Sequence, residues 1–276
     1  MDYSGYQHLL IDIDQGVAKV TINRPEVYNA VNHRLHGELG EIWRDLDRDP
    51  EVRAIVITGA GDKAFSAGGD LAGLRERMAM PSEERFKDTV TWEARDLVYN
   101  MINCDKVIIS AINGVAVGAG VAVALIADIS IMAEDAKIGD GHVPLGVVAG
   151  DHAAMIWPLL CGIAKTKYYL LTAEMIDGRE AERIGLVSKV VPRAEVVPEA
   201  MRIARKLADG PRYALAMTKR SINQWLRLGG LAAFDYSLAL EKMAFFSGDA
   251  QAGVKAISEK KKPVYPSSQP GGDSHG

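Results

Sequence analysis

Apolar positions in the first half of the chain follow two spacings in turn, one typical of strands and one typical of helices. Two apolar runs at 9–13 and 17–22 flank the turn-like Asp14-Gln15-Gly16 and predict a hairpin. After it, compact apolar runs predict strands, and a spacing of three to four residues predicts helices. In chain order these are a helix at 31–48, strands at 54–58 and 107–111, a helix at 118–127 and a strand at 129–133. Strands that alternate with helices are typical of an α/β fold.

Beyond Asp151 the pattern becomes mostly helical. Only residues 186–191 still have the pattern of a strand, and helical spacing occurs at 153–160, 166–171, 179–184, 198–207, 212–227 and 231–246. This change predicts an α/β core over residues 1–190 and a helical carboxy-terminal region over 191–262. Residues 263–276 are poor in apolar side chains, and we expect a disordered tail there.

The composition argues against several classes of protein. With a net charge of -4 and no concentrated run of Lys and Arg before the tail, the chain is not expected to bind nucleic acid. Its most apolar segment, 115–126, is shorter than the roughly 20 residues that cross a bilayer, so we expect no membrane partner. The amino terminus lacks a secretory signal pattern, which favours a cytoplasmic location. Cys104 and Cys161 have no metal-ligand spacing, and no metal site is expected.

One glycine-rich segment, 138–151, carries a histidine and a carboxylate nine residues apart. An imidazole titrates near neutral pH, and a carboxylate partner fixes its tautomer and stabilises its charged form. We therefore predict an acid/base pair of His142 and Asp151. Glycines in this segment are expected to turn the chain with positive φ and to expose its amides; they are Gly139, Gly141, Gly146 and Gly150. A half-buried histidine beside a helix-capping aspartate remains the alternative.

A second loop, Lys63 to Leu71 with the sequence KAFSAGGDL, follows the strand predicted at 54–58. A probable helix start after it would leave backbone N–H groups unpaired, so Gly68 and Gly69 are placed to donate to a carbonyl oxygen. An ordinary tight turn is the alternative, and Asp70 is expected to hold that turn through backbone hydrogen bonds.

Several segments together resemble one family. AFSAGGDL is followed by AINGVAVGAGVAVALIADI and AKIGDGHVPLG in the order and spacing of the crotonase, or enoyl-CoA hydratase/isomerase, superfamily. The resemblance begins in INRPEVYNAV at 22–31 and continues through 170–191 into 245–263. It implies a crotonase-like α/β spiral of ββα units, with a helical carboxy-terminal region that forms a homotrimer or a dimer of trimers.

The resemblance also implies a site. Two backbone amides of such enzymes form an oxyanion hole around a thioester carbonyl, and here they correspond to Gly69 and Gly139. A coenzyme A thioester is the implied substrate, with no permanently bound cofactor. The residues expected near coenzyme A are Lys63, Ala64, Phe65 and Ala67. A basic run at 260–262 is expected to be a solvated helix end rather than a phosphate contact.

The chain departs from the hydratase pattern at its acid/base positions. Hydratases of this superfamily place two glutamates around the reacting water, and the corresponding positions here hold His142 and Tyr168. A tyrosine with an ordinary pKa near 10 does not replace a carboxylate base. Asp151, or else Asp140, is expected to supply the carboxylate. Our leading hypothesis is a family enzyme that stabilises an enolate, with His142 and Asp151 in place of the glutamates.

Two alternatives remain. The segment GHVPLGVVAGDHAAMIWPLL resembles the branch that hydrolyses carbon–carbon bonds of β-diketones, the 6-oxocamphor hydrolase type, although the chain before His142 is a residue shorter. That resemblance implies retro-Claisen cleavage of a β-diketone or β-ketoacyl-CoA, in which His142, oriented by Asp151, activates water. The other alternative is a catalytically silent acyl-CoA-binding protein.

Other polar residues receive simpler interpretations. His152 should point away from Asp151 into a surface or supporting position. His33 and His36 lie three residues apart on a predicted helix and are expected on its solvated face. Glu241 lies in the helical region, and only the tertiary fold decides whether it reaches an active site.

Overall fold

The computed structural model describes residues 1–87 and 89–270, and its elements alternate in the predicted α/β manner. The first half comprises β1 (Leu9–Asp14), β2 (Val17–Ile22), α1 (His33–Arg48), β3 (Ala54–Gly59), β4 (Ala64–Ser66), α2 (Leu71–Ala79), α3 (Ser82–Lys87), α4 (Val90–Asn103), β5 (Val107–Ile112), β6 (Val115–Val117), α5 (Ala119–Ile126), β7 (Ile129–Ala133) and β8 (Lys137–Gly139). The second half comprises α6 (Ala153–Thr172), β9 (Ile176–Asp177), α7 (Gly178–Arg183), β10 (Lys189–Val191), α8 (Val196–Ala208), α9 (Arg212–Ile222), α10 (Leu231–Ala244) and α11 (Gly248–Ser258).

The hairpin and the strands β3, β5 and β7 lie where the apolar runs predict them, whereas the short strands β4, β6, β8 and β9 were not predicted. Other segments also differ from the prediction. The helical patterns at 153–160 and 166–171 join into α6, which is kinked at Gly162 with a φ of 76°. The strand predicted at 186–191 is shortened to β10. Helices α2 to α4 occupy a region where the sequence predicts a single helix, because α2 buries none of its side chains and therefore has no apolar repeat to detect.

Two sheets form the core. The larger has the order β1-β2-β3-β5-β7-β10, with β1 antiparallel to β2 and the remaining pairs parallel. All six residues of β3 are buried, as expected for a central parallel strand covered on both faces. Helix α8 packs on β3 and β5.

The smaller sheet has the order β4-β6-β8-β9, in which β4, β6 and β8 are parallel. Each successive unit contributes one strand to each sheet and then returns through helices: β3 and β4 before α2, β5 and β6 before α5, β7 and β8 before α6. This is the predicted spiral of ββα units. Because parallel strands end on the same side of a sheet, the segments after β4, β6 and β8 meet along one edge.

The carboxy-terminal helices pack against that edge. Helix α10 contacts α6 and α4, and α11 contacts α2 and the turn at 143–145. Gly146 has a φ of 74°, and a Cβ there would lie 2.4 Å from the carbonyl oxygen of Asp249, so both the conformation and the close approach require glycine. No helix of residues 1–87 and 89–270 is long and apolar enough to cross a membrane.

The last described residues also contact this region. The Tyr265 hydroxyl donates to the Pro144 carbonyl at 2.8 Å, and the Ser267 amide donates to Asp249 at 3.0 Å. The tail predicted at 263–276 therefore has ordered contacts as far as Ser267, and its final residues, 271–276, lie outside the described part of the chain.

Candidate active site

The loop after β4 presents one free amide. Val31 N–H donates to Gly68 O at 2.7 Å and Asp70 N–H donates to Val31 O at 2.9 Å, so the peptide groups on either side of Gly69 are engaged with Val31. The Gly69 amide has no hydrogen-bond partner among the described residues, and a Cβ built there would meet nothing within 4 Å. Asp70 caps α2 by accepting from Ala72 N–H at 3.0 Å, which agrees with its expected structural role.

The segment after β6 lies directly beside this loop. Gly68 has a φ of 82°, and a Cβ there would lie 2.7 Å from the Val117 carbonyl oxygen. Gly118, with a φ of 50°, starts α5. Its carbonyl accepts from Val121 and Ala122, which leaves the Ala119 amide at the helix start without an intrahelical partner. The first turn of α5 therefore offers a donor next to Gly69.

Gly139, predicted as the second donor, does not fit this arrangement. It ends β8 and pairs in register with Val117 of β6, so it lies two strand spacings, about 10 Å, from the end of β4. One oxygen cannot accept hydrogen bonds from amides that far apart. Glycine at 139 instead makes room for Met175, whose Sδ would be 2.5 Å from an added Cβ.

The segment after β8 carries a buried histidine between carboxylates. His142 Nδ1 lies 2.8 Å from Asp140 Oδ2, and the His142 amide donates to Asp140 Oδ1 at 3.0 Å. On the other side of the ring, Nε2 lies 3.8 Å from Asp151 Oδ2. The structure thus brings His142 and Asp151 together, but the residue that orients the ring is Asp140, only two positions earlier in the chain.

Asp151 contacts a second imidazole. Its Oδ1 hydrogen-bonds to Nδ1 of His152, which is fully buried. The expectation that His152 points away from Asp151 is therefore wrong, and of its two expected positions the supporting one agrees with the structure and the surface one does not. Helix α6 begins after His152 without a side-chain cap hydrogen bond. Asp151 is therefore engaged with two histidines, and the helix-capping alternative receives no support.

Glu241 of α10 completes the cluster. Its Oε1 lies 3.6 Å from His142 Nε2, and its Oε2 is buried without a hydrogen-bond partner in the described structure. Gly150 allows this approach, because an added Cβ would lie 2.4 Å from Ser237 O and 2.6 Å from Glu241 Cβ. The buried positions of α10 are Phe234, Ser237, Leu238 and Glu241. This helical spacing was the available signal: a glutamate on the apolar face of a helix.

The ionisation of the cluster follows from its burial and its charges. Burial alone would lower the pKa of His142, but the carboxylates of Asp140, Asp151 and Glu241 raise that pKa well above its ordinary value. Burial raises the pKa of Glu241 to about 8, although the charge of His142 opposes the shift. Near neutral pH, His142 is therefore an imidazolium and Glu241 carries a proton.

The two aspartates have the opposite tendency. Burial would raise the pKa of Asp151, but the charges of His152 and His142 lower it below its ordinary value. His142 also lowers the pKa of Asp140 against the effect of burial. Because these groups lie in contact, they exchange protons as one unit rather than titrating independently.

The structure does not bring Tyr168 into this cluster. Tyr168 lies beyond the kink of α6, is 49% exposed, and donates from its hydroxyl to Glu174 at 3.0 Å. Its predicted place beside His142 was inferred by counting along the chain, which takes no account of the kink at Gly162.

Residues predicted to contact coenzyme A divide into two groups. Lys63 and Ala67 are exposed on either side of β4. Ala64 and Phe65 are buried within it, so their side chains pack in the interior and only their backbone is placed to meet a ligand.

The two histidines of α1 share one glutamate. His33 Nε2 and His36 Nδ1 lie 3.3 Å and 2.9 Å from the carboxylate of Glu93 on α4. The His36 side chain is only 13% exposed, so the expected solvated face applies to His33 and not to His36.

The carboxylates and imidazoles of the cluster are also close enough to resemble a metal site. There are two groups of three residues whose ligand atoms lie within 4.8 Å of one another. One group is His142, Asp151 and Glu241, and the other is Asp140, Asp151 and His152. An imidazole ligates metal only when the ligating nitrogen is unprotonated. The raised pKa of His142 therefore favours proton chemistry at these positions.

Comparison with known proteins gives a consistent result. The enoyl-CoA hydratase/isomerase family profile matches residues 12–268. The sequence is 32% identical to a crotonyl-CoA hydratase of Syntrophomonas wolfei, over 93% of this chain and 97% of that protein. An enoyl-CoA hydratase/isomerase structure from Mycobacterium paratuberculosis is 36% identical, with a TM-score of 0.85 over 90% of this chain and 97% of the other. A β-diketone hydrolase structure from the cyanobacterium Anabaena is 27% identical, with a TM-score of 0.80 over 88% and 96%.

Proposed function

Since the chain belongs to the enoyl-CoA hydratase/isomerase family, we propose that it stabilises the enolate of an acyl-CoA thioester and transfers a proton at the neighbouring carbon. One observation carries this proposal. The edge where β4, β6 and β8 end presents two free amides beside a buried cluster that holds both charged and protonated groups.

The two amides are those of Gly69 and Ala119. Both lack partners in the described structure, and both follow strand ends that are in contact through Gly68 and Val117. An enolate oxygen between them would accept two hydrogen bonds, strengthened by the positive end of α5. Removing one such donor costs about 2.7–4 kcal/mol of transition-state stabilisation in enzymes where it has been measured.

Proton transfer then divides between Asp151 and its neighbours. Asp140 and Asp151 are both unprotonated, but Asp140 is engaged with the His142 ring and amide, so Asp151 is the carboxylate suited to accept a proton from carbon. His142 and Glu241 hold protons that can be returned. Hydratases of this superfamily place one of their two glutamates three residues after the second oxyanion donor. With Ala119 as that donor, the corresponding residue here is Ala122, which is buried and apolar. The pair of glutamates that holds the reacting water in a hydratase is therefore not reproduced, which favours isomerisation over ordinary hydration.

A second function has its own support. The contact of His142 with Asp151, together with the similarity to a β-diketone hydrolase, favours carbon–carbon bond hydrolysis. In that reaction water adds to one carbonyl, the bond to the central carbon breaks, and the resulting enolate is protonated to give a keto acid. His142 must first release its proton before it can activate the water.

Deuterium exchange tests the proposal without knowledge of the acyl chain. The protein is incubated in D₂O with saturated acyl-CoA, crotonyl-CoA, 3-enoyl-CoA, β-ketoacyl-CoA and cyclic β-diketones, each beside an enzyme-free control, and the products are analysed by mass spectrometry. We expect the wild-type protein to incorporate deuterium at the carbon next to the thioester, and we expect Asp151→Asn not to incorporate it. Crotonyl-CoA hydration that is unaffected by His142→Ala, without exchange, would overturn the proposal. Diketone cleavage abolished by His142→Ala, without thioester exchange, would support the second function instead.

A further inference from the structure

His152 has no role in the proton transfer described above, yet its imidazole is fully buried beside the site. Its Nδ1 hydrogen-bonds to Asp151, and its Nε2 is a buried nitrogen without a partner in the part of the chain that the structure describes. An unpaired buried nitrogen destabilises a fold, and an apolar side chain would fill the same volume without that cost. Packing alone therefore does not explain a histidine at this position.

The hydrogen bond divides the two oxygens of Asp151 between two neighbours. Oδ1 contacts His152 Nδ1, whereas Oδ2 faces His142 Nε2 at 3.8 Å. An ionised carboxylate only accepts hydrogen bonds, so Nδ1 of His152 must carry the hydrogen. With Oδ1 held, rotation of the carboxylate is restricted and Oδ2 remains directed at His142.

We infer that His152 is the positioning residue of the site: it fixes the orientation of Asp151 and keeps that carboxylate ionised while Glu241 stays protonated. The inference rests on the proposed function, because it assigns the proton acceptor of that reaction. His152 itself is placed to act through Asp151 and not on the substrate.

Electrostatics supports the same role. Burial raises the pKa of Asp151, and among the charges that lower it His152 has the largest effect, followed by His142. Without His152, the pKa of Asp151 is expected to rise, and the acceptor would become protonated in the pH range where Glu241 is protonated as well. The titratable groups that face Asp151 are His142 and Asp140 from the preceding segment, Glu241 from α10 and His36 from α1.

Two substitutions separate positioning from packing. His152→Asn keeps an N–H donor near the place of Nδ1, whereas His152→Leu keeps apolar volume and removes the donor. The pH profile of deuterium exchange is measured for both variants. We expect the acid limb of His152→Leu to move upward by about one pH unit, with an approximately tenfold loss of rate below it. His152→Asn keeps the donor but not the charge, so its acid limb should lie between those of wild type and His152→Leu. Identical profiles for wild type and His152→Leu would overturn the inference.

An NMR experiment tests the hydrogen bond independently of activity. The protein contains six histidines, and ¹⁵N labelling of their rings distinguishes the two tautomers. We expect one ring whose Nδ1 carries hydrogen, with signals that disappear in His152→Asn. An Nε2–H tautomer at His152 would overturn the inference, since Nδ1 would then have no hydrogen to donate. Absence of exchange by the wild-type protein on every substrate would instead overturn the proposed function.

Discussion

Replacing Glu241 with glutamine should change the pH dependence of stability in a defined direction. Glu241 is buried beside His142, and burial raises its pKa from the ordinary 4.5 to about 8. The folded protein therefore retains a proton that the unfolded chain releases above pH 4.5. The contribution of Glu241 to the free energy of unfolding is therefore largest below pH 4.5, and it decreases as the pH rises toward 8. Glutamine has nearly the same shape and no proton to lose, so this contribution disappears.

The magnitude follows from proton linkage. Each pH unit between the two pKa values removes about 1.4 kcal/mol from the free energy of unfolding. Between pH 5 and pH 7.5 this amounts to roughly 3 kcal/mol in favour of Glu241→Gln. Removing the glutamate changes the electrostatic stabilisation of the His142 imidazolium only slightly over most of this pH range, because Glu241 is mainly neutral there. Asp140, at 2.8 Å, remains the principal partner of the ring.

Urea denaturation at the two pH values, at one protein concentration, measures the effect. The free energy of unfolding of Glu241→Gln minus that of wild type should increase by roughly 3 kcal/mol from pH 5 to pH 7.5. Glu26→Gln is the matched control, because Glu26 is exposed, and its difference should stay constant. If Glu241→Gln also gave a constant difference, the protonated state of Glu241 and the argument from its burial would be refuted.

Three further comparisons test other parts of the structure. Gly69→Pro removes the free amide and should lower kcat by about 10²–10³, whereas Gly69→Ala keeps the amide, meets open space and should retain most activity in the same assay. Tyr168→Phe should leave kcat and KM within about twofold, since the hydroxyl contacts Glu174 at the surface; a large loss would restore Tyr168 to the site. Gly150→Ala should lower the free energy of unfolding by about 1–3 kcal/mol in urea, because its Cβ meets the Ser237 carbonyl, whereas Gly73→Ala in open space should raise it by roughly 0.5–1 kcal/mol.

Local chemistry made much of the fold predictable. Strand β3 begins with the unbroken apolar run 54–57, and α1 combines an apolar repeat with Asn32, whose side chain accepts from Leu35 N–H. The contact of His142 with Asp151 also agrees with expectation. Its main partner, Asp140, was available in the same segment, but sequence spacing alone does not show which carboxylate faces the ring.

Features set by strand order were harder to predict. The strands β4, β6 and β8 have only three residues each, so their apolar patterns carry little information and their order in the sheet is not visible in the chain. The strand order separates Gly139 from Gly69, and it places Ala119 beside Gly69. The glycines of 138–151 show the same limit: only Gly146 has positive φ, whereas Gly139 and Gly150 are required by neighbours distant in sequence.

In the reaction that we propose, the charges of the cluster explain how a histidine can replace a glutamate. With Asp140 and Asp151 ionised, His142 cationic and Glu241 neutral, these four groups together carry one net negative charge. When Asp151 accepts a proton from the substrate, that charge disappears as an equal charge forms on the enolate oxygen. Negative charge therefore moves from the cluster to the amides of Gly69 and Ala119 instead of being created in a buried site. His142, whose Nε2 lies 3.8 Å from Asp151 Oδ2, holds its own proton throughout this step, so the transfer needs no second proton movement within the cluster.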